Sequence, residues 1–318
     1  CVAFEMIAML TVGEWQVAPI AVLLLLLSNH LFVLSVAVED GMVATSDDVS
    51  GVSQSWNWDP EDEHPCNIPR ILLSDLVSHF PPNGLVPPLF PTPFILVAHN
   101  SSRQDRNRDF RYQTSLERIL GQFPEKFAVT LSSSNALSEH HREITLEQYL
   151  NETLTSRVTT PQVNSNENWY LFGHTYSPEW QTLTKQYELP PCQTCRPDLC
   201  ALSFGIGNRG SGVQWHVHGP GFSEALHGRK HWLLYAPSEQ RPQNYDKDQS
   251  SRQWMEYVYH KANSKPKECT LNPGDLIYFP DNWWHATINL DPYTAFISTF
   301  TTEHNVDRYF QEDHFQDL

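Results

Sequence analysis

In the second half of the chain, short apolar runs alternate with turn residues at regular spacing. Trp169 to Phe172, Leu202 to Ile206, Val213 to His218, Ser223 to Leu226 and His231 to Tyr235 each read as a strand. So do Glu268 to Leu271, Leu276 to Phe279, His285 to Leu290 and Ala295 to Phe300. Turn signals separate them: Gly205 to Gly212, Pro237, Pro273-Gly274 and Asp291-Pro292. Many short strands at such spacing predict a sandwich or a barrel-like jelly roll. One polar interruption, Ser238 to Lys267, predicts a helix near Arg252 to Tyr259.

The first half has a mixed α and β pattern. Ser74 is placed to cap a helix over Asp75 to Phe80, and Phe94 to Ala98 reads as a strand. Between them, Pro81 to Pro93 is too proline-rich for a central element. Thr114-Ser115-Leu116-Glu117 has the form of a capping box opening a helix to Gln122. Phe127 to Leu131 predicts a strand, and Thr145-Leu146-Glu147-Gln148 a second capping box with a helix towards Leu154.

Before all of this, Ile20 to Leu27 and Leu31 to Val38 are apolar, and Ser35-Val36-Ala37 precedes Glu39-Asp40. The preferred reading is a secretory signal cleaved after small residues. Glu5 and Glu14, with no Lys or Arg, keep open an uncleaved anchor over Val17 to Val38. The expected organisation is a signal or anchor at 1–37, a flexible leader at 38–65, an α/β segment at 66–164, a β barrel at 165–302 and an acidic tail at 303–318.

A net charge of -16 argues against a nucleic-acid partner. Sequons at Asn100 and Asn151 point to a lumenal or extracellular address. His314 to Leu318 is not a standard retrieval signal. The cysteines are Cys1, Cys66, Cys192, Cys195, Cys200 and Cys269; removal of a signal leaves an odd number and so one free thiol. Local disulfides are preferred to zinc for Cys192, Cys195 and Cys200.

The candidate chemistry is histidine. His216 and His218, one residue apart on a strand, point to one face, and His285 follows a later turn. Three imidazoles form a nitrogen facet suited to iron, zinc, copper or nickel. Gly210, His216-x-His218 and Glu224 approximate the first cupin motif; Gly274, Pro280-x-Asn282-x-x-His285 and Asn289 approximate the second, with Asn282 in place of Gly.

The closer resemblance is to the jumonji C-domain family of iron and 2-oxoglutarate oxygenases. It rests on Gly228-Arg229-Lys230-His231-Trp232-Leu233-Leu234-Tyr235-Ala236-Pro237, on Pro273-Gly274-Asp275, and on Trp283-Trp284-His285-Ala286-Thr287. It implies a mainly β double-stranded β-helix core carrying an α/β N-terminal segment. It further implies His216, His218 and His285 as metal ligands, Fe(II) as the metal, and Lys230 as the partner of 2-oxoglutarate.

This chain departs from the family at His218, where active members carry Asp or Glu, and at Val213, where they often carry a hydroxyl. The expected function is therefore a lumenal jumonji C-domain protein, impaired as an oxygenase, that acts through protein partners. The alternatives are a protein hydroxylase with a three-histidine iron site, and a stabilising site for zinc or manganese. Glu224 reads as a supporting or surface residue, and the other histidines, His140-His141 among them, as surface residues. Trp215, Trp232, Trp283 and Trp284 read as barrel core or rim, and Arg103 to Arg108 as a solvated loop.

Overall fold

Where apolar and polar residues alternate, the chain pairs into sheets. The computed structural model describes residues 63–98, 106–132, 141–154, 169–239 and 242–301. The signal or anchor, nearly all of the leader, Asn100, His140, Arg103 and the acidic tail lie outside these residues. Among the described residues no helix is long and apolar enough to cross a membrane.

In chain order the elements are β1 (Arg70–Leu72), α1 (Leu76–His79), β2 (Phe94–Val97), α2 (Arg108–Gln113), β3 (Ala128–Ser132), β4 (His141–Thr145), α3 (Leu146–Leu154) and α4 (Pro178–Thr184). There follow β5 (Cys200–Gly207), β6 (Gly221–His227), β7 (Lys230–Tyr235), α5 (Ser251–Tyr257), β8 (Lys267–Leu271), β9 (Leu276–Phe279), β10 (Trp284–Asn289) and β11 (Thr294–Thr301). A six-stranded sheet runs β1-β2-β9-β6-β11-β5, and a three-stranded sheet runs β10-β7-β8. This is the mainly β jelly roll of a cupin-type double-stranded β-helix.

The pleat decides which residues reach the interior. On β7 it turns Lys230 and Trp232 inward, on β10 His285 and Thr287, and on β11 Phe296, Ser298 and Phe300. Trp215 packs behind the barrel against Tyr235 and Trp254, which seats α5. Cys66 and Cys269 are disulfide-bonded across 203 residues of sequence, and Cys192 bonds Cys195. Among the described residues Cys200 is a free thiol, and Cys192–Cys195 is a local disulfide as expected.

Several expectations change. Ser74 caps nothing: its hydroxyl bonds the Asp75 carboxylate, a 3-10 turn covers Leu73–Asp75, and α1 begins at Leu76. Thr114 closes α2 rather than opening a helix, because its N–H and its hydroxyl both donate to the Phe110 and Arg111 carbonyls. A Thr hydroxyl serves either end of a helix, and here the burial of Phe110 fixes which. Trp169 to Phe172 forms only isolated bridges, Ser132 to Tyr170 and Leu171 to Ile206. His231 is buried, not a surface residue, with its ring between Thr270 Oγ1 and a Glu268 carboxylate oxygen.

The second capping box forms as read. Thr145 N–H donates to Gln148 Oε1, and Gln148 N–H donates to Thr145 Oγ1. It orients α3 so that Tyr149 OH reaches the Ile206 carbonyl on β5 at 2.8 Å. Thr145→Ala is expected to cost about 1 kcal/mol, measured as a lowered denaturation midpoint at unchanged slope.

Candidate metal centre

The histidine segment is not the regular strand its alternation predicts. It lies along β10, where Thr287 N–H donates to the Val213 carbonyl, and His216 and His285 exchange both backbone bonds at 3.1 and 2.9 Å. From the Val213–Thr287 level to the His216–His285 level, one side advances three residues and the other two. That extra residue is a bulge, and it reverses the pleat. As a result Val213, His216 and His218 all line the same cavity, although strict alternation would put Val213 on the opposite face. Close approach is possible because Gly212 has no side chain; a Cβ there would lie 1.9 Å from the Thr287 carbonyl oxygen.

The three imidazoles offer nitrogens that all lie within 4.8 Å of one another. Each ring's other nitrogen meets a backbone carbonyl: His216 Nδ1 that of Gln214 at 2.7 Å, His218 Nδ1 that of Gly219 at 2.8 Å, and His285 Nδ1 that of Trp283 at 2.9 Å. A carbonyl only accepts, so each Nδ1 bears a proton, and Nε2 is the nitrogen a neutral ring would offer to a metal. This is how metal-ligating histidines are held.

Burial pushes the His216 pKa down to about 3, with the neighbouring His218 adding to the shift. Burial likewise holds His285 well below the ordinary value, with His216 and His218 reinforcing it. The Nε2 atoms of His285 and His218 lie 3.1 Å apart. Converging ring nitrogens of this kind suit a divalent cation, so the donor set fits a metal. Aromatic rings wall the site: Phe279 stacks on His285 at 5.0 Å between centroids and Trp232 at 5.8 Å.

Lys230 lines the same cavity and is fully buried, not solvent-reaching. Its Nζ donates to Asn289 Oδ1 at 3.1 Å and to Tyr170 OH at 3.4 Å, and lies 3.9 Å from the Phe296 ring centre. Burial pushes its pKa down to about 7. Gly205, paired with Phe296 across the sheet, leaves room for that ring; a Cβ there would meet it at 2.2 Å. The cavity measures about 30 Å³, room for the centres of one or two waters. The donor set thus accepts a metal, and Lys230 with the Phe296 ring over it forms one wall of the same cavity.

Glu224 does not join the cluster. It is buried rather than superficial, and accepts from Arg111 Nη1, Asn107 Nδ2 and Tyr187 OH at 3.1, 2.9 and 2.9 Å. Sequence reasoning missed Tyr170, Asn289, Thr287 and Phe296 as cavity or Lys230 neighbours. Asn289 left a trace as the last position of the second cupin motif, and Thr287 as the end of the Trp283-Trp284-His285-Ala286-Thr287 segment.

Comparison with known proteins agrees with this architecture. A family model described as a JmjC domain matches residues 221–309, beginning just past His218. JmjC domain-containing protein 8 of Homo sapiens is 38% identical over 196 residues, which is 61% of this chain and 72% of that protein. The protein of the same name from Mus musculus is 35% identical over 244 residues, 75% of this chain and 83% of its own length. Lysine-specific demethylase JMJ21 of Arabidopsis thaliana is 30% identical over 153 residues, 43% of this chain but 15% of its own.

Proposed function

The chain belongs to the JmjC-domain family, and on that premise we propose that its barrel holds a divalent metal on His216, His218 and His285, is impaired as an oxygenase, and serves in the endoplasmic reticulum lumen or secretory pathway by binding other proteins. The observation that carries the reading is His218 among three converging imidazoles. A carboxylate at that position would remove one positive charge from a bound dication; an imidazole leaves it, in a cavity that Lys230 also lines. Iron bound there would supply the family's oxygen chemistry. His216, His218 and His285 would hold it, with the backbone carbonyls of Gln214, Gly219 and Trp283 fixing the rings.

His218 in place of a carboxylate, Val213 in place of a hydroxyl and the Phe296 ring over Lys230 support impairment. Two disulfides, the apolar N-terminal stretch and the sequon at Asn151, exposed on α3, support a lumenal address. Candidate contact surfaces are the Pro81 to Pro93 loop, where Leu89 is exposed, and Ser238 to Lys267, where Tyr257 is exposed.

A second reading, an Fe(II) and 2-oxoglutarate-dependent protein hydroxylase, is favoured by one observation: Lys230 is buried at the cavity with Tyr170 and Asn289 as its partners. Succinate formation decides between the two. Protein loaded anaerobically with Fe(II) and given 2-oxoglutarate and air is expected to make no more succinate than metal-free protein. Turnover that disappears in His285→Ala would install the hydroxylase instead. Phe296→Ala should open the Lys230 end and tighten 2-oxoglutarate binding by about tenfold, or ~1.4 kcal/mol, read by calorimetry on the metal-loaded protein.

A further inference from the structure

Cys192 and Cys195 lie on the loop that leads into β5 and Cys200 is that strand's first residue; none of them lines the histidine cavity. Cys192 is bonded to Cys195, three residues on, and Cys200 carries a thiol. The Cys192 half is buried and anchored: the flanking backbone pairs with Val86, whose N–H donates to the Pro191 carbonyl at 2.9 Å and whose carbonyl accepts from Gln193 N–H at 3.0 Å. Cys195 and Cys200 are partly exposed.

Thr194 touches sulfur at both ends of the loop. Its hydroxyl oxygen is 3.6 Å from Cys192 Sγ, and its carbonyl oxygen is 3.4 Å from Cys200 Sγ, one peptide away from Cys195. A disulfide that closes so short a loop restrains the unfolded chain far less than Cys66–Cys269, which spans 203 residues, so the fold holds it less firmly. A thiol fixed beside a disulfide attacks at high effective concentration.

We infer that these three cysteines form a thiol–disulfide exchange site, in which Cys200 attacks the open Cys195 sulfur and Cys192 departs. In that step Cys200 loses its proton to water, the Cys195–Cys200 bond forms, the Cys192–Cys195 bond breaks, and Cys192 leaves as thiolate and is reprotonated. One disulfide and one thiol are present before and after, so no oxidant is needed. The partly exposed thiol is exchanged for one sealed among Phe80, Val86 and Phe94. Burial, with Asp198 adding to it, pushes the Cys200 pKa up, which keeps it a resting thiol.

The site is independent of the metal reading and is tested by mapping. Full-length protein from a eukaryotic secretory host is incubated across glutathione ratios, acid-quenched and alkylated with N-ethylmaleimide. Trypsin with Asp-N endoproteinase then separates 186–197, holding Cys192 and Cys195, from 198–209, holding Cys200. The expected result is two species: alkylated Cys200 with an internal disulfide in 186–197, and alkylated Cys192 with the two peptides cross-linked, in a proportion to each other that the glutathione ratio does not change. Cys200→Ser should give the internal disulfide alone. Alkylation confined to Cys200 at every ratio overturns the site, and a cross-link that leaves Cys195 alkylated overturns the assignment of the attacked sulfur.

Discussion

Replacing His285 with alanine should strip the protein of metal. Elemental analysis after anaerobic loading is expected to find close to one divalent ion per wild-type chain and essentially none in the variant. Metal that binds only the folded state stabilises it by about 4 kcal/mol at a thousandfold excess over Kd. For a domain of this size that amounts to roughly 8–16 °C in melting temperature, which wild-type protein should lose on chelation and the variant should lack from the start. Protons oppose the metal in a definite direction. The unfolded chain protonates its histidines near 6.5, whereas burial holds folded His216 to about 3 and His285 well below its ordinary value. Stability of the metal-free protein should therefore fall as pH drops from 6.5 towards 3. Metal should persist into acid that empties an exposed histidine site. A wild-type protein that takes up no metal, or a variant that keeps it, would falsify the assignment.

The second large effect is expected at Arg111. Its guanidinium is the ion-pair partner of Glu224, whose side chain is 2% exposed. Burial raises the Glu224 pKa, and Arg106 and Arg111 oppose the rise. Arg111→Ala leaves a buried carboxylate short of a partner, at a cost of about 3 kcal/mol, or roughly 6–12 °C. Because the folded pKa stands above the unfolded value of 4.5, the stability linked to this group is present below 4.5 and is lost as pH rises through the folded value. The penalty of Arg111→Ala should accordingly be large at neutral pH and shrink below 4.5. Adding Glu224→Gln should recover part of it at neutral pH; equal loss in single and double variants would mean that the pair carries no charge coupling.

Much of this was legible in the sequence because it is local. Short apolar runs between turn residues mark β6, β7, β9, β10 and β11 within a residue or two of their observed ends. The His216-x-His218 spacing gives a common face, and the Thr145–Gln148 box acts within one helical turn. What escaped is non-local. The bulge that turns Val213 onto the face of His216 depends on how the segment lies against Thr287 and His285. The burial of Glu224 depends on Asn107 and Arg111, more than a hundred residues away. His231 reads as a surface residue until Glu268 arrives on the neighbouring strand. The size of the Lys230 cavity is set by Phe296, whose ring lies where it does because Gly205 faces it.

The Cys66–Cys269 disulfide has a role beyond stability. β8 is the outermost strand of its sheet, with one row of backbone groups left for another partner. The residue next to Cys66 takes that place at Glu268: Asn67 N–H donates to the Glu268 carbonyl, and Glu268 N–H donates to Asn67 Oδ1. A covalent bond one residue along on each chain keeps this cover from lifting away. An uncovered strand margin is where sheets of separate molecules join. The disulfide thus fastens in place the segment that covers this margin of the sheet.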